Sequence, residues 1–339
     1  MHRSELTIDL GALRRNVRVL RRTLGAAQLW AVVKANGYGH GAVDVARAAL
    51  DEGAAALGVA TVAEAVALRS ELPEARVLVM GPTANDDVAL ARDARLELVL
   101  SSLDLPAGIP VHLKLDTGMG RWGLSELPAP PAQVVGLMSH LATADSDPAF
   151  AEKQIERFRV ATEPYTHLTR HLANSAGVLR FPASHFDAGR CGLALLGLSP
   201  FGTDPAAEGL EPVLSWTSYL ALVRLLRAGE STGYGRRFVA ERDTWIGIVP
   251  VGYADGFRRD LTGTQVRVAG ELRRVVGAVS MDAFAVELDR ELPVGEPVVL
   301  LGEGVLAEEH ARVAGTIPHD FAAGINSDPT RARRVVVDA

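Results

Sequence analysis

Leu29-Trp-Ala-Val-Val-Lys-Ala-Asn-Gly-Tyr-Gly-His-Gly-Ala-Val-Asp-Val-Ala-Arg-Ala-Ala-Leu50 contains the unit from which the fold is read. Its first six residues form a short, Val-rich apolar run of the kind that makes a buried parallel strand, and the run ends on a lysine. Its last nine, Ala42–Leu50, repeat apolar side chains at spacings of three and four, as a helix with one buried face does. Strand, loop and helix in this order suit a parallel sheet, whose neighbouring strands must be joined by a crossover. The alternation continues. Further strands are expected at Ala56–Thr61, Arg76–Gly81, Leu96–Ser101, Val111–Asp116, Val134–His140, Leu168–Asn174 and His185–Arg190, and further helices at Val62–Leu72 and Pro148–Ala161. Eight strands in βα order point to a (β/α)8 TIM barrel. Two connections, Ser102–Pro110 and the Pro-rich Glu126–Gln133, look too short for a full helix.

After about residue 215 the texture changes. Trp216–Leu226, Thr244–Val251, Val266–Ala269, Arg273–Val279, Ala283–Leu288 and Val298–Leu301 read as strands separated by Gly, Pro and Asp turns, with no long helix between them. The expected organisation is a barrel over residues 8–215 and a mainly-β domain over 216–339, with residues 1–7 associated with the latter.

Composition narrows the function classes. A net charge of −6 over 339 residues argues against a general nucleic-acid binder, which needs a basic face. No apolar run reaches the roughly 18–20 residues of a membrane span, and the first ten residues have no apolar stretch of secretory type. A single cysteine, Cys191, excludes an intrachain disulfide and a Cys-rich metal site, so a reducing cytoplasm and no metal are expected. Of 35 basic residues only Lys34, Lys114 and Lys153 are lysines. An Arg-favouring base composition explains the bias, yet it also singles out positions where an amine, and not a guanidinium, is needed. Lys153, on a helix, reads as a solvated surface residue.

In a barrel the residues just past the C-terminal strand ends build the active site. Here they are Lys34, Lys114, Asp116, Arg121, His140, Asn174, Ser175 and Arg190. A lysine at a buried strand end is unfavourable unless paired, neutralised or used covalently, and linkage to an aldehyde cofactor as an imine answers that need. Snorkelling to the rim is the other reading. The glycines of Gly37-Tyr-Gly-His-Gly41 permit close backbone approach to an anion but form no dinucleotide fingerprint.

The string Ala31-Val-Val-Lys-Ala-Asn-Gly-Tyr-Gly-His-Gly41 resembles the lysine signature of alanine racemases, which hold pyridoxal 5′-phosphate (PLP). Further segments match that family in the same order: Ile8-Asp-Leu10 with Asn16, Leu113-Lys-Leu-Asp-Thr-Gly-Met-Gly-Arg121, His140-Leu-Ala-Thr-Ala-Asp145, Ala173-Asn-Ser-Ala176 and Asp187–Gly197. In the β domain Gly233-Tyr-Gly235, Ile248-Val-Pro-Val-Gly-Tyr-Ala-Asp-Gly256 and Ser280-Met-Asp282 continue the likeness. The resemblance spans nearly the whole chain. It implies PLP on Lys34, with Lys34 as one acid/base and Tyr234 as the other, reaching the opposite face from a second protomer of a homodimer. It further implies interconversion of L- and D-alanine, supplying D-alanine for cell-wall synthesis.

Carried over position by position, the resemblance puts Arg190 against the pyridine nitrogen and His140 on or near the ring. Asn174 would contact the cofactor, and Tyr38, Ser175 and the N–H groups of Gly192 and Leu193 would hold the phosphate. Arg121, Tyr253, Met281 and Asp282 would meet the amino-acid substrate. His171 and Arg190 would tune Tyr234, since a tyrosine with an ordinary pKa near 10 needs help to act as a base. Other readings stay open: Arg190 in an ion pair with Asp187, Tyr234 as a turn aromatic between glycines, and His140 as a structural residue. Lys114 is either carbamylated, as its counterpart can be in relatives, or paired with Asp116. Asp116 is expected to support the loop rather than to do chemistry. His319 and Asp320 stand where relatives often have a Tyr-Glu pair, so a phosphate contact is either replaced by His319 or lost. Rival functions are a racemase of broader specificity, a PLP-dependent decarboxylase, which usually carries Glu where Arg190 stands, and a non-enzymatic PLP-binding barrel, which would lack the β domain.

Overall fold

The protein is described here by a computed structural model covering residues 2–339. Its chain forms two compact units: Leu13–Phe201 with Ala206–Glu211, and a second made of the segment ending at Ala12, Gly202–Pro205 and Pro212–Ala339.

The first strand, β1 (Glu5–Asp9), belongs to the second unit. The next eight close a parallel barrel in sequence order: β2 (Gln28–Val32), β3 (Ala56–Val59), β4 (Val77–Val79), β5 (Glu97–Leu100), β6 (Val111–Lys114), β7 (Val134–Met138), β8 (Thr169–His171) and β9 (Ala188–Cys191). All eight expected strands are present with shifted ends: most are shorter by a few residues, while β2 begins one residue earlier and β9 runs one residue further, to Cys191. Trp30, Ala56, Leu78, Val99, Met138 and Ala188 come from six strands yet form one buried cluster with Met80, as only the inside of a barrel allows. Val111, Leu113, Val134 and Leu137 instead pack outward with Phe158 of the helix Pro148–Thr162. Because successive strand residues face opposite ways, His112 and Lys114 of β6 point inward. Burying a side chain such as Phe158 contributes roughly 1.5–3 kcal/mol.

Helix boundaries follow local chemistry. Asp147 caps Pro148–Thr162 by accepting from the Phe150 N–H, with proline at the first turn where its missing N–H is harmless. Thr61 and Glu64 form a reciprocal capping box at the start of Val62–Glu71. Leu13, Val17, Leu20 and Leu24 form the buried stripe of the helix Leu10–Leu24. Neither 102–110 nor 126–133 contains a helix.

In the second unit nine strands form one sheet. The expected strand Trp216–Leu226 is instead two, β10 (Leu214–Tyr219) and β11 (Leu222–Leu226), because the chain turns at Leu220 and Ala221. A two-residue pair, β12 (Ser231–Thr232) and β13 (Phe238–Val239), flanks the Tyr234 loop. Then follow β14 (Thr244–Val249), β15 (Gln265–Val268), β16 (Glu271–Val276), β17 (Phe284–Leu288), β18 (Pro297–Leu301) and β19 (Arg333–Val337). The sheet order is β11-β14-β17-β16-β15-β18-β10-β1-β19. β1 lies antiparallel to β10 and parallel to β19. β19 and the short helices Ala307–Ala314 and Pro318–Ala323 were not anticipated, since a charged edge strand and two-turn helices carry little periodic signal.

Candidate active site

Beyond β2 the chain makes an uncommon turn. Ala35, Asn36, Gly37 and Tyr38 all have φ between 51° and 62°, a region that disfavours side chains by roughly 1–2 kcal/mol per residue. Polar contacts hold it. Glu64 Oε1 accepts from the Ala35 N–H at 2.6 Å, while its Oε2 accepts from the Ala60 and Thr61 N–H groups at 2.8 and 3.2 Å. Asn36 Oδ1 accepts from the Ala42 N–H at 3.0 Å. The turn presents Lys34, whose Nζ lies 5.8 Å from the centre of the Tyr38 ring. Burial first, and then Arg121, push the Lys34 amine below its ordinary pKa, with Glu64 opposing.

Arg190, near the end of β9, is fixed by four acceptors. It donates to His171 Nδ1 at 2.9 Å, to the Ser139 and Leu172 carbonyls at 2.8 and 3.1 Å, and to His140 Nδ1 at 3.2 Å. It makes no ion pair among the described residues. Asp187 does not pair with it: that carboxylate accepts instead from Arg170, at 3.2 Å. Burial lowers the Arg190 guanidinium to about 9. His140 is driven well below the usual imidazole range by burial and then by Arg190, Arg121, Lys114 and Lys34, so it is neutral near pH 7.

Next to Arg190 is a nest of donors. The Gly192 and Ala194 N–H groups both point at Ser175 Oγ, each at 3.3 Å. The Tyr38 hydroxyl closes the nest over Gly192, where a Cβ would come within 2.6 Å of it. Asn174 sits beside Ser175, but its side chain caps the following turn, accepting from the Gly177 N–H at 2.9 Å and donating to the Leu141 carbonyl at 3.3 Å.

Lys114 and Arg121 flank a loop organised by Asp116, whose carboxylate accepts from the N–H groups of Gly118, Met119 and Gly120. Lys114 therefore forms no ion pair with Asp116; its Nζ lies 5.4 Å from the Trp122 ring, and Arg121 lies 5.0 Å from the same ring. Burial, then Arg121 and Arg190, lower the Lys114 amine to about 8.

The remaining expected residues lie in the β unit. Tyr234 is 70% exposed between Gly233 and Gly235, whose φ values of 77° and 69° explain the glycines. The Tyr253 N–H donates to the Ser280 carbonyl and the Ala254 N–H to that of Met281, both at 3.0 Å, which joins those two loops. Tyr253 and Met281 are 40% and 53% exposed, so their side chains are open to contact. Asp282 accepts from Arg331 at 2.8 Å, and Arg331 also pairs with buried Asp255, itself bound by Arg3. His319 lies on the helix Pro318–Ala323. Both ring nitrogens of His171 are engaged inside the barrel.

Comparison with known proteins gives the same architecture. The family model for the alanine racemase N-terminal domain matches residues 8–200, and that for the C-terminal domain matches 213–335. An alanine racemase of Halorhodospira halophila is 40% identical, covering 98% of this chain and 97% of its own length. Alanine racemase 1 of Bacillus subtilis is 38% identical over 94% and 90% of the two chains. The crystal structure of the alanine racemase from Streptomyces lavendulae superposes with a TM-score of 0.91 at 35% identity, covering 100% and 98%.

The chain belongs to the alanine racemase family.

Members of this family are PLP-dependent isomerases, and the barrel mouth suits that cofactor. Arg121 depresses the Lys34 amine and, with Arg190, that of Lys114, and all four cations (Lys34, Lys114, Arg121 and Arg190) depress the ring of His140. The nearby carboxylates of Glu64 and Asp116 are taken up by backbone N–H groups. A ligand with a phosphate and a phenolate would supply the missing negative charge, and Tyr38, Ser175 and Gly192 converge where any side chain on Gly192 would intrude. Sequence reasoning missed Glu64, Arg331 and the buried His112. The signal for Glu64 was legible: Thr61-x-x-Glu64 ahead of an apolar run is a capping box. Arg331 and His112 act through partners far away in sequence, which no local pattern reveals.

Proposed function

We propose that this chain interconverts L- and D-alanine by removing and returning the α-proton on opposite faces, using PLP held on Lys34, and so supplies D-alanine for cell-wall synthesis. The observation that carries this reading is a depressed lysine amine at a barrel mouth that also holds Arg190, His140 and the Tyr38–Ser175–Gly192 donor nest. Bound PLP supplies an electron sink that acidifies the α-proton of an amino acid joined to it.

Each protein group then has a defined task. Lys34 Nζ, which burial and Arg121 make easier to deprotonate, holds or releases a proton on one face. Tyr234 would serve the other face. Its exposure on the β unit fits contribution from a second copy, so that the partner's Tyr234 completes the site. Arg190 would donate to the cofactor's ring nitrogen without giving it a full proton, because a guanidinium stays charged. Arg190 would thereby leave that nitrogen unprotonated and the sink weak, which would favour return of the proton to the α-carbon over transamination. Tyr38, Ser175 and the Gly192 and Leu193 backbone orient the phosphate. Arg121 and the partner's Tyr253, Met281 and Asp282 bound the space for a small side chain. In this reading the enzyme is a homodimer in which each β unit covers the other copy's barrel, and it works in the cytoplasm on a small amino acid, with no nucleic acid or membrane as partner.

Tyr234→Phe tests the two-face assignment. The variant retains PLP and binds alanine but loses racemisation by several orders of magnitude, since each positioned acid/base contributes roughly 10²–10⁴. Exchange of the D-alanine α-proton with solvent deuterium falls much less, because Lys34 serves that face. Equal loss of exchange for both enantiomers would instead mean a single base swinging between faces. Racemisation measured over a panel of L-amino acids fixes the breadth of the pocket.

A further inference from the structure

Glu97, His112 and His171 have no part in the scheme above, yet they form a continuous line of buried or half-buried polar groups through the barrel. From Arg190 Nη1 the line runs to His171 Nδ1 at 2.9 Å, from His171 Nε2 to His112 Nδ1 at 2.8 Å, and from His112 Nε2 to Glu97 Oε2 at 2.9 Å. Arg76 closes it, donating to Glu97 at 2.7 and 3.0 Å. Glu97 opens β5 while Arg190 stands near the end of β9, so the line connects the N-terminal end of the barrel to its mouth. The outer imidazole edges are walled by Trp30, whose ring centre lies 4.6 Å from that of His171 and 5.7 Å from that of His112. Gly136 makes the space: a Cβ there would be 2.1 Å from His112 Nδ1.

The two ends dictate where the protons lie. Arginine has no acceptor, so His171 Nδ1 must be bare. A neutral His171 then carries its proton on Nε2 and donates it to His112 Nδ1. His112 in turn carries its proton on Nε2 and donates to the Glu97 carboxylate. Protonating either ring, or reversing either tautomer, sets two donors against each other somewhere along the line. Burial lowers both imidazoles, in agreement with neutral rings.

We infer that Glu97, His112 and His171 are positioning residues of the racemase site, a one-way hydrogen-bond relay that orients Arg190 and answers its buried charge with a distant carboxylate. No proton moves along it. Chains of aligned hydrogen bonds polarise one another, so Glu97, accepting from His112 Nε2, strengthens His112 Nδ1 as the acceptor for His171 and, through it, His171 Nδ1 as the acceptor for Arg190. A carboxylate placed directly on Arg190 would take up the guanidinium edge in a paired contact. The imidazole takes only one Nη1 proton, and Arg190 Nε has no protein partner among the described residues, so that edge remains for a ligand. The inference rests on Arg190 facing the cofactor ring; the tautomers themselves do not.

The test begins with the wild-type holoenzyme labelled with ¹⁵N-histidine, which has nine histidines to resolve. Long-range proton–nitrogen spectra at pH 7 should show His112 and His171 both protonated on Nε2 and bare on Nδ1, with a coupling across the His171–His112 hydrogen bond. A proton on either Nδ1, or a charged ring, overturns the relay whatever the enzyme's activity. Two variants then probe its consequence. Glu97→Gln and Gly136→Ala should each move the His171 Nδ1 resonance and lower kcat on the order of tenfold, with the alanine KM changed less than about twofold. Full kcat in a Glu97→Gln protein whose His171 resonance has moved would show that the relay does not serve Arg190. If a variant fails to fold, the wild-type spectrum still decides the tautomers. A protein with the expected tautomers but no racemisation would refute the proposed function and leave the relay standing.

Discussion

Replacing Gly192 by alanine adds a single methyl group where the proposed phosphate donors converge. That Cβ would lie 2.6 Å from the Tyr38 hydroxyl and 2.9 Å from two carbons of its ring, whereas carbon contacts settle at about 3.5–4.0 Å. Tyr38 cannot simply withdraw, because it is buried and its backbone is already held at φ 52°. Overpacking of this kind costs about 1–3 kcal/mol. Borne by the donor nest, that is a loss of roughly 5- to 150-fold in PLP affinity. Borne by the fold, it is a fall of about 2–4 °C in Tm per kcal/mol for a body of this size. Titrating the apoprotein with PLP and following quenching of intrinsic fluorescence measures the first, and a parallel titration with pyridoxal, which lacks the phosphate, isolates its origin. The variant should bind PLP more weakly and pyridoxal as the unaltered protein does. Unchanged PLP affinity, or an equal loss for pyridoxal, would refute the placement of the phosphate beside Gly192.

Other outcomes follow from the same geometry. With its amine lowered to about 8, Lys114 is neutral in about one molecule in ten at pH 7, against about one in three thousand at the ordinary 10.5; only a neutral amine adds carbon dioxide. Protein equilibrated with ¹³C-bicarbonate should therefore show a carbamate resonance that disappears in Lys114→Ala, and its absence from the parent protein would mean an unmodified lysine. Glu64→Gln keeps the size of the side chain but removes the charge that holds three backbone N–H groups, so PLP should still attach at Lys34 while its affinity falls on the order of tenfold; peptide mapping after borohydride reduction and a PLP titration check both halves. Burial raises the Glu97 carboxyl, but hydrogen bonds from His112 and Arg76 outweigh it and hold it at about 2. Its stabilising share is thus complete above pH about 4.5 and lost as the pH falls towards about 2, and acid titrations of Glu97→Gln should lack that segment of pH dependence. If the partner's Tyr234 completes each site, sedimentation should find a dimer at assay concentrations, with an interface well over roughly 2,000 Å²; a fully active monomer would refute the shared site.

Much of this protein is legible without coordinates. The barrel was readable because each parallel strand is a short apolar run of Val, Leu and Ala between turn signals, and because a parallel connection demands a crossover. Lys34, His140, Ser175 and Arg190 were readable as a group because a barrel brings the ends of its strands to one mouth. What the chain alone could not reveal is which groups meet inside. Asp187, only three residues from Arg190, binds Arg170, while His171 takes its place. Asn174 turns its amide to the backbone, and Lys114 is left without the carboxylate two residues away. The line from Glu97 to Arg190 crosses four strands, and its members are separated by 15, 59 and 19 positions. Sequence determines which residues share a strand face, since that depends only on a period of two. Closure and register of the barrel decide which faces oppose each other, and there the proton positions of two histidines become fixed by an arginine at one end and a carboxylate at the other.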